Sequence, residues 1–126
     1  MIKRVLIVDD NPDILLVLTQ YLSLLGPDYQ LEVCHSGMEA LTLDRLHPFD
    51  LVIADYGMQQ LDGLQLAYQL KKRQPNLKFI LMSGDTNVVF TEEAAKAGLN
   101  GFISKPFTLT TIHETVRNTL EREPQR

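Results

Sequence analysis

Arg4-Val5-Leu6-Ile7-Val8-Asp9-Asp10-Asn11-Pro12 is the stretch on which the fold turns. An aliphatic run ends on two adjacent carboxylates. Asn11-Pro12 follows, a good helix cap and then a residue whose missing N–H costs nothing in the first helical turn. A short apolar run bounded by turn signals marks a strand buried on both faces. The same grammar recurs three times: Leu51-Val52-Ile53-Ala54 runs into Asp55, Phe79-Ile80-Leu81-Met82 into Ser83-Gly84, and Gly101-Phe102-Ile103-Ser104 into Lys105-Pro106. In a parallel sheet such strands end on one edge, and ligands bind in the crevice outside it. Three carboxylates, one hydroxyl and one ammonium are therefore expected to converge.

Working outward, strand-like runs alternate with helix-like segments, which predicts an α/β fold of five βα units on a doubly wound parallel sheet. The first helix runs from Pro12 to Leu25 and stops at Gly26-Pro27. Strand two covers Gln30 to Cys34, and Ser36 with Glu39 forms a capping-box pattern for a second helix ending before Pro48. Asp62-Gly63 opens a third helix that ends near Gln74-Pro75, Glu92 and Glu93 begin a fourth that ends at Gly98, and the fifth spans Leu109 to Glu121. One domain over residues 1–121 is expected, followed by a polar tail, 122–126.

The chain has 126 residues, 44% hydrophobic and 22% charged, which suits one globular domain and excludes a disordered chain. Its net charge is −4, so no electrostatic footprint for nucleic acid or an anionic membrane is present. Lys71-Lys72-Arg73 reads as the solvated end of a helix, and a lone Cys34 can make no internal disulfide. With no room for a signal peptide before the first strand and no apolar span of roughly 20 residues, a cytoplasmic location is expected.

Asp9, Asp10 and Asp55 form a set of hard oxygen ligands whose mutual repulsion a divalent cation would relieve. With no His or Cys cluster alongside, that set favours Mg²⁺. Lys105 offers a fixed positive charge and Ser83 a hydroxyl, both suited to a phosphoryl group. Metal, carboxylate nucleophile and cationic support are what transfer of a phosphoryl group to an aspartate requires. No Walker loop and no GxGxxG turn is present, and His35, His47 and His113 are scattered.

Taken in order, Asp9-Asp10, Asp55-Tyr56-Gly57-Met58, Asp62-Gly63, Ser83-Gly84 and Lys105-Pro106-Phe107 resemble the receiver domain of two-component response regulators, over essentially the whole chain. The resemblance implies a flavodoxin-like (βα)5 fold with strand order 2-1-3-4-5. It implies Asp55 as phosphoacceptor, Asp10, Asp55 and the Gly57 backbone carbonyl as direct Mg²⁺ ligands, and Asp9 as a ligand through water. Lys105 would pair with phosphoryl oxygens, Ser83 would accept one on activation, and the Lys105-Pro106 bond would be cis. Phe102 stands at the family's rotating aromatic, or is a plain core residue. The partners implied are a sensor histidine kinase or phosphotransfer protein and a downstream protein target, with a homodimer allowed and no direct contact with nucleic acid or membrane.

Some positions depart from the family pattern. Gln59 replaces the usual proline, Gly57 offers no side chain to shield Asp55, and Asp85 adds charge at the site mouth, so the phosphoryl lifetime should be altered. The surface of helix four, strand five and helix five is the expected output face, with Val88, Val89 and Phe90 read as partly core. The first helix is apolar almost all round and is read as deeply buried, with cover by a neighbour as the alternative. Besides a stand-alone phosphoryl-accepting switch, three readings remain. The chain could be the receiver part of a larger regulator that binds DNA or makes a second messenger. It could be an aspartyl-phosphate phosphohydrolase, disfavoured by Gly57 where a second acid is needed, or a receiver-like scaffold that is never phosphorylated.

Overall fold

A computed structural model describes residues 2–121. The strands are β1 (Lys3–Val8), β2 (Tyr29–Cys34), β3 (Leu51–Asp55), β4 (Lys78–Ser83) and β5 (Gly101–Ser104). The helices are α1 (Pro12–Ser23), α2 (Gly37–Leu46), α3 (Gly63–Arg73), α4 (Glu92–Ala97) and α5 (Leu109–Glu121), with a short 3-10 turn at Thr86–Phe90. All strand pairs are parallel and the sheet order is β2-β1-β3-β4-β5. The expected order holds.

Period-two alternation divides β1 between two cores. Val5 and Ile7 pack with Leu15, Leu18 and Leu22 of α1 and Ile112 and Val116 of α5. Leu6 and Val8 pack on the other side with α2, α3 and α4, through Ala40, Leu66, Leu70 and Ala94. The central strands are covered on both faces, which is why they read as unbroken apolar runs.

The register aligns the strand ends. Val8 pairs with Ala54, Asp55 with Met82, and Ser83 with Ser104. Asp9, Asp55, Ser83 and Lys105 therefore all emerge at the carboxyl edge. Gly63 seats α3 directly on that edge: a Cβ there would lie 2.6 Å from the Asp55 carbonyl oxygen and 2.6 Å from Leu81 Cδ1.

Several local expectations shift. α1 ends at Ser23 rather than Leu25, with Leu24 as its cap, and Leu16 and Leu24 are 59% and 67% exposed. The helix is thus buried along one stripe, not all round. The residues before α4 wind as a 3-10 turn capped by Asp85, its carboxylate accepting from the Asn87 N–H. That turn separates the three apolar residues: Val88 is buried, Val89 partly buried, and Phe90 83% exposed. At α2, Ser36 accepts from the Glu39 N–H as expected, but Glu39 accepts from His35 N–H instead of closing the box. A complete capping box forms at α3, between Asp62 and Gln65. The tail 122–126 lies outside the described residues.

Candidate functional site

Asp9 directly follows β1 and is almost wholly buried, at 1% exposure. Its position is fixed by α1: the Asn11 N–H donates to Asp9 Oδ1 at 2.9 Å, while the Asn11 side chain caps α1 by accepting from Asp13 N–H at 2.9 Å. One asparagine thus orients the acid and starts the helix. Asp10 is exposed beside it, and Asp55 projects from the end of β3 half-buried. Asp9, Asp10 and Asp55 each present a carboxylate oxygen within 4.8 Å of the others.

Lys105 crosses from the end of β5 to this cluster. Its Nζ lies 2.7 Å from Asp55 Oδ1 and 3.5 Å from Asp9 Oδ2. Burial pushes the Asp9 carboxyl above its ordinary value; the Asn11 N–H counters that, the Asp55 charge adds to it, and Lys105 opposes it. For Lys105, burial alone would lower the pKa. The hydrogen bond to Asp55 and the charges of Asp9 and Asp55 outweigh it, and the net shift is upward. Asp9 and Asp55 thus share one ammonium, and Asp10 adds a third carboxylate beside them, leaving an excess of negative charge. An all-oxygen donor set of this kind, with a buried acid held against its preference, fits a small hard dication.

The remaining predicted residues fall around this core. Ser83 is buried at the end of β4; its Oγ accepts from the Asp85 N–H at 3.0 Å, and its carbonyl accepts from the Lys105 N–H at 2.9 Å. Gly57 stands beside the second carboxylate oxygen of Asp55: a Cβ there would sit 3.8 Å from Asp55 Oδ2, with nothing else beyond its chain neighbours within 4 Å. The Asp85 carboxylate is spent on its cap rather than left loose at the mouth. The Lys105-Pro106 bond is cis, as expected. Phe102 lies apart from the acids, partly buried against the α2–α4 core and lining a shallow cavity with Val89, Ala94 and Ala95.

Two contributors went unread in the sequence. Asn11 reads as a helix cap, and nothing in residue type announces its N–H bond to Asp9. Gln60 adopts φ 67° in the loop from β3 to α3, a left-handed conformation that its side chain gives no reason to expect.

Comparison with known proteins agrees with this geometry. The family model described as response regulator receiver domain matches residues 5–117. The transcriptional regulatory protein GlrR of Escherichia coli K12 is 30% identical over 119 residues, covering 94% of this chain and 26% of GlrR. The chain thus spans about a quarter of that relative's length. Among solved structures, the receiver domain of NtrX from Brucella abortus superposes with a TM-score of 0.84 at 30% identity, covering 94% of this chain and 99% of that one. The chemotaxis response regulator CheY4 of Vibrio cholerae shares the fold, with a TM-score of 0.86 at 24% identity over 95% of this chain and 100% of its own.

Proposed function

Because this chain belongs to the response regulator receiver domain family, we propose that it is a signalling switch that accepts a phosphoryl group on Asp55. The observation that carries this reading is the Lys105 ammonium, 2.7 Å from one Asp55 oxygen, while the other oxygen faces the open position at Gly57. Asp55 Oδ2 is the nucleophile. It forms a new O–P bond as the donor's bond to phosphorus breaks, and the donor leaves with that electron pair. Lys105 is already in place to pair with the phosphoryl oxygens, and Ser83 supplies a hydroxyl donor, since its Oγ already accepts from Asp85 N–H. Asp9, Asp10 and Asp55, with the Gly57 carbonyl, would hold Mg²⁺. Bound there, Mg²⁺ offsets the charge gathering on the phosphoryl oxygens.

The donor partner is a phosphohistidine on a sensor kinase or phosphotransfer protein, and the output is contact with a downstream protein. A hydrogen-bond path supports the face formed by α4, β5 and α5. It runs from Ser83 Oγ to the Asp85 N–H, from Asp85 to the N–H groups of Asn87 and Val88, and from the Val88 carbonyl to Thr91, whose Oγ1 caps α4 at Ala94. A dianion that draws Ser83 inward pulls on that path. The protein acts as a switch rather than as a turnover catalyst, in the cytoplasm. The span over a quarter of GlrR favours a second reading, in which the chain serves as the receiver of a longer regulator with its own output domain.

Incubation with Mg²⁺ and a small acyl phosphate, followed by intact mass, tests the acceptor. One phosphoryl group is expected on the wild type and none on Asp55→Asn. A labelled Asp55→Asn, or an unlabelled wild type, overturns the reading.

A further inference from the structure

Lys105 reaches Asp55 from a connection with very little chain in it. Its own N–H is fixed to the Ser83 carbonyl at 2.9 Å, and Thr108 already caps α5, accepting from the Thr111 N–H at 3.2 Å. Only Pro106 and Phe107 lie between those anchors. Pro106 is exposed, whereas Phe107 packs into the α1–α5 core. Phe107 is therefore the side chain that holds the connection down.

Its ring meets Tyr21 of α1 edge-on, with centroids 6.2 Å apart and planes at 80°. This is the arrangement aromatic quadrupoles favour, so it fixes orientation as well as burying area. Tyr21 is itself pinned from α5: His113 Nε2 lies 2.6 Å from the Tyr21 carbonyl oxygen. A carbonyl only accepts, so His113 Nε2 carries the proton and donates. The backbone of Tyr21 is tied to α5 while its ring braces the residue two beyond Lys105.

We propose that Tyr21 is a positioning residue for phosphoryl uptake, acting through Phe107 to hold the Lys105 ammonium on Asp55. The inference rests on Asp55 being the acceptor. It assigns a role to a side chain on the first helix, remote from the acids in sequence, through a contact that nothing in the strand-end pattern reveals. Displacing a charge-stabilising group by a fraction of an ångström slows transfer without unfolding the site.

The test measures initial rates of phosphoryl uptake from a small acyl phosphate with Mg²⁺, by intact mass, in Tyr21→Leu, Tyr21→Phe, Lys105→Ala and the double variant Tyr21→Leu/Lys105→Ala. Tyr21→Leu should lower the rate roughly tenfold, and Tyr21→Phe, which keeps the ring edge, should restore it. In the Lys105→Ala background the Tyr21→Leu change should cost nothing further, because the group it positions is gone. Should Tyr21→Leu fail to fold, Phe107→Leu cuts the same contact from the other side. An equal penalty in both backgrounds, or a wild-type rate in Tyr21→Leu or Phe107→Leu, overturns the inference while leaving Asp55 as acceptor. An unlabelled wild type, by contrast, removes the acceptor reading and this inference together.

Discussion

Gln60 holds a left-handed backbone at φ 67°, between the Gly57 turn and the Asp62 cap. For a residue with a Cβ that conformation costs roughly 1–2 kcal/mol, whereas glycine's extra unfolded-state freedom costs about 0.5–1 kcal/mol. Gln60→Gly should therefore stabilise the protein by about 0.5–1 kcal/mol, seen as a raised urea midpoint at unchanged slope. Cys34 offers a second check at this scale. Burial pushes its thiol up to about 12, with the Glu39 charge adding to the effect. Alkylation at pH 8 should be far slower in the native protein than in urea, because the thiolate is the nucleophile. The sign for stability follows. Above about 9, the ordinary value for a free thiol, the unfolded thiol loses its proton while the native one keeps it, so this group lowers stability as pH rises from about 9. Among the site residues, Asp9, Asp55, Ser83 and Lys105 were legible because each interrupts an apolar run at a strand end. Asn11 was read only as a helix cap and Asp85 only as a charge at the site mouth, and the bonds they make to Asp9, Ser83 and Asn87 were not legible. Their part is played through backbone N–H groups and turn geometry, which residue type alone does not specify.

At the scale of elements, α3 leans on β3 with no room to spare. Gly63→Ala would drive a methyl to 2.6 Å from both the Asp55 carbonyl and Leu81, inside any real contact. The helix start must shift, at a cost of about 1–3 kcal/mol. Since that shift displaces the backbone of Asp55, the proposed acceptor, phosphoryl uptake should fall along with the melting temperature. A variant that loses stability at unchanged uptake would count against the coupling. The strands and most helix starts were readable from apolar periodicity and caps. The 3-10 turn at Thr86–Phe90 was not, since an aspartate cap precedes 3-10 and α turns alike. Nor was the exposure of Leu16, Leu24 and Phe90, because apolar residues outnumber the places a domain of this size has for them inside.

At the scale of the molecule, the acids and the ammonium come from β1, β3 and β5, and β4 separates the last two. Every neighbouring pair of strands is parallel, so each is joined through a long crossover and none can form as a local hairpin. The site exists only once β1, β3, β4 and β5 are paired. Phosphoryl uptake and far-UV circular dichroism should therefore lose amplitude at the same urea concentration; an earlier loss of uptake would mean that β5 detaches on its own. The Lys105–Asp55 pair spans 50 residues of sequence. During synthesis Asp55 is added to the chain that many residues before its counter-charge, so a nascent chain holds the carboxylate without the ammonium that pairs with it. The pair that joins β3 to β5 therefore closes only when β5 docks.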